Sequence, residues 1–421
     1  MTPEEAAAAV REASWLRARD AQQILELLDG AKGRTRAVGG IVRDTILMRP
    51  RETTDIDLAT ELLPDDVSLR AAQGGALVYP TGIEHGTVTV KLGDVTAEVT
   101  TLREDVATDG RRATVRFGTD WTRDAERRDF TMNALSAGAD ARVHDYVGGL
   151  ADLDARHVRF IGDPASRIAE DYLRILRFFR FHAAYGEGEL DPAGLVACIA
   201  ARGGLEQLSR ERVRMELLKL LAAKGVVPAL TAMAEGGILV PVLGGVPLIE
   251  DVARMAAVEA ALKLPADPIR RLAALNVMVV EDAERLWQRL RLANAEHERL
   301  ASMGQMSWRR VVPAGDAPAR PWLYRLGPEG YSDRVLLAWT RWGASPDDKA
   351  WHDLATLQQR WTAPVFPLKA ADFMQRGLQK GPALGAALRA AEEAWIAADF
   401  PSDSETLGSI AANAMRQAKS A

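Results

Sequence analysis

One cysteine, Cys198, is all the thiol chemistry that the 421 residues carry, so neither a disulfide within the chain nor a cysteine-based zinc site can form. Its neighbours Leu195, Val196, Ala197 and Ile199 are apolar or small, which predicts a packed thiol in a reducing compartment. Long hydrophobic runs are missing too: none reaches the roughly 18 residues that a membrane span requires. Residues 1 to 16 interrupt their alanines with acids and an arginine where a secretory signal would be apolar. The expectation is cytoplasmic residence without a membrane. The six histidines are scattered, and His352 beside Asp353 has no second histidine at a metal-binding step, which argues against a metal-dependent phosphohydrolase domain. Surplus positive charge is also absent. With 53 Lys and Arg against 58 Asp and Glu, the net charge is −5. Any nucleic-acid contact must therefore come from local basic clusters and weaken with salt.

What is present is an ordinary globular composition, 48% hydrophobic and 26% charged with 34 Gly and 20 Pro, far from the disordered corner of sequence space. At roughly 100 to 200 residues per domain, the length predicts two to four domains. Residues 3 to 30 have the spacing of an amphipathic helix pair or one broken helix. Residues 34 to 47 read as strand, glycine turn, helix, with Gly39 and Gly40 in the turn. Strict alternation over 54 to 59 predicts a strand, and Pro64 opens a helix to about Gln73. The clearest hairpin covers 86 to 102 around Gly93 and Asp94, a two-residue connection suited to a primed turn. Residues 103 to 124 are charged, lack a period and read as a long functional loop. Beyond 150 strand patterns nearly vanish. Helical spacing recurs over 165 to 184, 191 to 202, 209 to 224, 227 to 235 and on through 294 to 303. Runs of strands followed by runs of helices predict an α+β head of residues 1–150 and a helical remainder. Eight of the ten tryptophans follow residue 280 and read as core anchors there.

Three groups of residues could carry chemistry. Asp55 and Asp57 sit at i and i+2 of a strand, so both carboxylates project from one face while Ile56 and Leu58 turn to the other. Their repulsion is relieved if a divalent cation lies between them, and magnesium suits hard oxygen ligands with room for substrate phosphates. A solvated strand edge is the simpler explanation of the same pattern. Glu98, the one acid in the second hairpin strand, is a candidate third carboxylate. Three such groups can hold two metals about 3.5 to 4 Å apart, the arrangement that activates a hydroxyl and stabilises a leaving pyrophosphate. The second group is basic. Gly40 and Arg43 at the glycine turn could approach a triphosphate, and Arg128 and Asp129 in the run RRDFTMNA could meet phosphate and a ribose hydroxyl. The third is the stretch DPASRIAEDYLRILRFFRF at 163–181, where Glu170, Asp171, Arg174, Arg177 and Arg180 wind round a predicted helix among bulky apolar residues. Internal ion pairs and an anionic partner explain that stripe equally well.

Taken in order, GGIVRD at 39–44, DID at 55–57, EVTTLR at 98–103, DGRR at 109–112, RRDFTMNAL at 127–135, the 163–181 stretch and ERVRMELLKLL at 211–221 resemble the class II CCA-adding tRNA nucleotidyltransferases, whose bacterial poly(A) polymerase relatives share the same head. The resemblance spans about the first 225 residues. DFMQRGLQKGPALGAAL at 372–388 is similar to the family's C-terminal element, whose turn before a helix could present N–H groups to tRNA phosphates. The resemblance implies a polymerase β-like nucleotidyltransferase head with a small mixed sheet over 1–150, then an all-α neck over 151–225 and an all-α body and tail over 226–421. It implies Mg2+ held by Asp55 and Asp57, with Glu98 as an added third ligand, and nucleotide binding by Gly40, Arg43, Arg128, Asp171, Arg174, Arg177 and Arg180. Asp171 and Arg174 would act as an amino-acid template for CTP and ATP, and residues 103 to 120 would be the loop that switches from C to A. tRNA is the implied partner, as monomer or homodimer. Only Arg416 and Lys419 end the chain, so no strongly basic tail favours general RNA binding and poly(A) synthesis.

Overall fold

The computed structural model describes residues 1–49, 55–83, 86–109, 112–305 and 308–420. The described chain divides into two compact units, Met1–Val242 and Leu243–Ala421, so the expected head and neck both lie within the first. Its centre is a seven-stranded mixed sheet. Named along the chain, the strands are β1 Thr35–Val38, β2 Asp55–Thr60, β3 Leu77–Gly82, β4 Thr87–Leu92, β5 Val95–Thr101, β6 Arg103–Asp109, β7 Arg112–Phe117, β8 Ser136–Ala137 and β9 Val143–His144. In space the large sheet runs β3-β4-β5-β2-β1-β8-β9, and β6 pairs with β7 separately. Among the described strands β2 and β5 pair in parallel and the other pairings are antiparallel.

The alternation of β2 explains its central place. Ile56 and Leu58 are buried against the core while Asp55 and Asp57 are exposed, so one strand carries a dry face and a wet one. Thr54, expected in the same strand, lies outside the described residues. The β4–β5 hairpin forms with Leu92 opposite Val95. Its turn needs glycine twice over: Gly93 has φ +55°, and a Cβ there would stand 2.1 Å from an Asp20 carboxylate oxygen. The helix from Pro64 ends at Gln73 as the sequence predicts.

Three expectations change. The N-terminal helical region is three helices, Pro3–Glu12, Ser14–Arg17 and Arg19–Leu27, separated by extended backbone at Ala13 and Ala18. Alanine is the best helix former, so tertiary packing of Leu16, Ile24 and Leu25 sets those breaks. The region read as a loop from 103 to 124 holds β6, β7 and a helix Trp121–Glu126. The β-branched residues Val106, Thr108, Thr114 and Val115 were hidden there among charges; Gly110 and Arg111 of the DGRR motif lie outside the described residues. Finally, the single helix predicted over 165–184 is two, Pro164–Glu170 and Leu173–Tyr185, divided where Asp171 turns extended at φ −156° and ψ 107°.

The Leu173–Tyr185 helix is anchored by aromatics to the bridged pair Phe130 and Phe160. Phe130, Phe160, Phe178 and Phe179 are fully buried, with Phe130 4.9 Å from Phe160 and 5.1 Å from Phe181 between ring centres. Offset rings at these separations add packing energy beyond burial. Cys198 is fully buried, and desolvation pushes its thiol pKa up, in keeping with a packed, inert sulfur. The regular elements described in the second unit are helices, running from Ile249–Ala261 to Ser404–Ser420. Trp339 and Trp395 are fully buried there, as core anchors should be. Glu259, Arg270, Arg271 and Asp333 form a buried ion network in the same unit, with Arg299 completing it from the rim.

Candidate active site

The wet face of β2 and β5 forms one wall of a cleft of about 740 Å³ within the first unit. Parallel pairing sets Asp55 beside Thr96 and Asp57 beside Glu98, and side chains paired across strands share a face. Asp57 and Glu98 both line the cleft and are exposed; Asp55 lies one repeat toward the start of β2, exposed on the same side. Among the described residues no three His, Cys, Asp or Glu side chains converge as a ready-made cage for a metal. Asp55 and Asp57 offer hard carboxylate oxygens of the kind magnesium takes, with its other positions left to waters and substrate phosphates.

Apart from these carboxylates the cleft is strongly basic. Nine Arg and Lys side chains line it against four Asp and Glu, so a chain that is negative overall has a positive interior suited to phosphate. Most of these cations are oriented by protein groups. Arg43, 5% exposed, donates to Asp44 at 2.9 Å, Asn133 at 2.5 Å and the Tyr185 hydroxyl at 2.6 Å, with the Tyr185 ring centre 3.9 Å away. Arg127 and Arg128 both donate to the buried Asp124, at 2.8 Å from Arg127 Nε and 3.1 Å from Arg128 Nη2. Gly39, at φ +69°, lies so close beneath Arg128 that a Cβ would stand 3.4 Å from its Nη1. With Gly40 starting the next helix, the glycine turn lets backbone and guanidinium share one wall of the cleft.

Asp129 does more holding than the sequence reading gave it. Its Oδ1 accepts from the Phe130 N–H at 2.9 Å and Asn133 Nδ2 at 3.0 Å, while Oδ2 accepts from Arg177 Nε at 2.8 Å and Nη2 at 2.5 Å. Four donors take up the acceptor capacity of one carboxylate. Read from the sequence as a ribose contact, it also orients Arg177 in this structure. Burial works to raise its pKa, but Arg177, Asn133 and Phe130 outweigh that and hold it below the usual carboxylate range. A lowered pKa contributes stability that is complete above the unfolded value near 3.9 and is lost as pH falls through the folded value. Asp129→Asn should therefore cost about 2 kcal/mol at pH 7, with the gap to the wild type closing below pH 4. Urea titrations at pH 7 and pH 3 test this; an equal gap at both would refute it.

Arg177 also lies 3.6 Å from the buried Glu216, which accepts a hydrogen bond from Arg180 Nε. Arg174 is fastened by Glu170 at 2.5 Å and by the Arg167 and Arg127 carbonyls at 2.6 and 3.4 Å. Of the internal ion pairs that could explain this stripe, Glu170–Arg174 forms. Asp171, at the break between the two helices, pairs with Arg212 at 2.6 Å. Sequence reasoning assigned no role to Asp124, Arg167, Arg212 or Glu216. Arg167, Arg212 and Glu216 sat inside motifs already quoted, but nothing in one dimension marks which motif residue orients which.

Residues 35–159 match the family described as the poly A polymerase head domain, and residues 189–251 match the one described as a probable RNA and SrmB- binding site of polymerase A. The mitochondrial CCA tRNA nucleotidyltransferase 1 of Danio rerio is 34% identical over 371 residues, covering 86% of this chain and 83% of that protein. The chain belongs to the CCA tRNA nucleotidyltransferase family. The CCA-adding enzyme of Limosilactobacillus fermentum is 30% identical over 404 residues, covering 92% of this chain and 94% of that one. In three dimensions the Bacillus stearothermophilus CCA-adding enzyme in complex with CTP aligns with a TM-score of 0.75 at 25% identity, over 96% of this chain and 100% of that one. A CCA tRNA nucleotidyltransferase fold thus extends over nearly the whole chain. Relatives of mitochondrial and bacterial origin share it, so family membership assigns no compartment. Among the described residues no helix is long and apolar enough to cross a membrane.

Proposed function

We propose that this protein adds C, C and A to the 3′ end of tRNA from CTP and ATP, without a nucleic-acid template, releasing pyrophosphate at each step. The observation that carries the reading is a single cleft whose lining holds Asp57 and Glu98 together with Asp171, Arg174 and further arginines. Membership in a family whose relatives are named for CCA addition supports it.

Each group then has a task that its chemistry suits. Asp55 and Asp57 hold magnesium, with Glu98 beside them. Magnesium, when bound, offsets the charge that builds up as the terminal ribose hydroxyl attacks the α-phosphate and pyrophosphate departs. Arg43 and Arg128, fixed by their protein partners beside the Gly39–Gly40 turn, receive the triphosphate without having to be ordered at the moment of reaction. Arg177 and Arg180, oriented by Asp129 and Glu216, extend that positive wall. Asp171 offers an acceptor and Arg174 a fork of donors. Cytosine and adenine both present an exocyclic amino group beside an unprotonated ring nitrogen, which such a pair can satisfy after a small reorientation. Uracil and guanine present a carbonyl beside a ring N–H and leave both protein groups mismatched.

The deciding measurement incubates the protein with tRNA lacking its last three nucleotides, with labelled CTP and ATP separately and together. Two additions from CTP alone and three from the mixture are expected. Extension only of tRNA already ending in CC, with CTP never used, would replace the proposal by A-only addition.

A further inference from the structure

Asp171 is held from two sides. Its Oδ1 accepts from the N–H of Leu173 at 3.1 Å, and its Oδ2 accepts from Nη2 of Arg212 at 2.6 Å. Leu173 begins the helix that carries Arg174, whereas Arg212 comes from a different helix, Arg210–Leu221. Arg212 and Glu216 stand four residues apart on that helix and so share one face. Along that face Arg212 reaches Asp171, and Glu216 reaches Arg177 and Arg180. One helix face thus organises Asp171, Arg177 and Arg180, which line the same cleft as Asp57 and Glu98.

Holding matters because of how base edges differ. C and A offer donor then acceptor where U and G offer acceptor then donor. A carboxylate beside a guanidinium reads this difference only while their lateral order is kept. A carboxylate free to swing by one hydrogen-bond position meets the ring N–H of uracil, and the guanidinium then meets its carbonyl. Arg174 is fixed by Glu170 and two main-chain carbonyls, whereas Asp171 sits in a helix break, where a backbone N–H and Arg212 restrain its carboxylate. We propose that Arg212 is a specificity-determining positioning residue, which locks the Asp171 carboxylate in the orientation that accepts the amino group of C and A and refuses U and G. This rests on the reading of Asp171 and Arg174 as the base-edge template. Arg212 is about half exposed, with 48% of its side-chain area open, so its removal leaves the fold intact.

The test measures kcat/KM for CTP, ATP, UTP and GTP on tRNA lacking its terminal nucleotides, for wild type, Arg212→Ala, Arg212→Lys and Asp171→Ala. In Arg212→Ala the use of UTP relative to CTP should rise about tenfold while kcat with CTP stays within about threefold of wild type. Arg212→Lys, which keeps a cation and a donor, should recover part of the selectivity. A uniform rise in KM for all four nucleotides at unchanged ratio, with Asp171→Ala still relaxing that ratio, would overturn the proposal and make Arg212 a phosphate contact. Unchanged selectivity in Asp171→Ala would sink the template reading itself, and the positioning role with it.

Discussion

Asp55→Ala and Asp57→Ala are each expected to lower the rate of nucleotide addition by about 10³-fold or more, equivalent to about 4 kcal/mol of transition-state stabilisation. Both side chains are exposed on β2, so little packing is lost and thermal melting should shift by no more than an exposed substitution allows. tRNA affinity should hold or rise slightly, because an acid is being removed from the path of a polyanion. The combination separates chemistry from binding: lost addition with retained tRNA retardation on a native gel supports a metal-holding role. A variant that still completes CCA at the wild-type rate in magnesium would refute it. Glu98→Ala belongs in the same series. If Glu98 is a third ligand, its loss should approach that of the aspartates.

Arg174→Ala should change what is added more than whether anything is added. Sites built to hydrogen-bond a substrate edge reject analogues by up to about 10⁴ to 10⁵, because the mismatched edge leaves polar groups unpaired. Removing the donor half of the pair should therefore erode selectivity for C over U by about 10² or more, with a smaller loss of total turnover. Part of that loss has a structural origin, since Arg174 also ties Glu170 to the carbonyls of Arg167 and Arg127. Arg174→Lys keeps the charge without the fork and should leave selectivity close to that of the alanine variant. Selectivity unchanged across the four triphosphates in both variants would remove Arg174 from base recognition.

Much of this site could be read in the sequence because strand alternation and the glycine turn are local. The i, i+2 spacing of Asp55 and Asp57 predicts a shared face without knowledge of any partner strand, and the hairpin turn at Gly93 and Asp94 announces β4 and β5 by itself. The parallel register that brings Glu98 level with Asp57 could not be read, since β2 and β5 are joined only through a helix and two further strands. The break at Asp171 was hidden for a related reason. Tyr172, Leu173 and the residues after them are good helix material, and one of the two groups that hold the Asp171 carboxylate at the break, Arg212, lies about 40 residues on. The anchoring of Asp129 was out of reach as well, because its four donors converge from the chain beside it and from a later helix. β8 and β9, of two residues each, are too short for any periodicity to reveal.

Parallel pairing of β2 with β5 also limits how this enzyme can diverge. Insertions and deletions between Glu61 and Tyr79 alter a helix and a rim strand without disturbing which way Glu98 points. A single residue gained or lost inside β5 ahead of Glu98 would exchange inside for outside, sending that acid toward the apolar interior and Val99 or Ala97 into the cleft. Related lineages should therefore accumulate length differences freely before the β4–β5 hairpin and hold β5 to constant length.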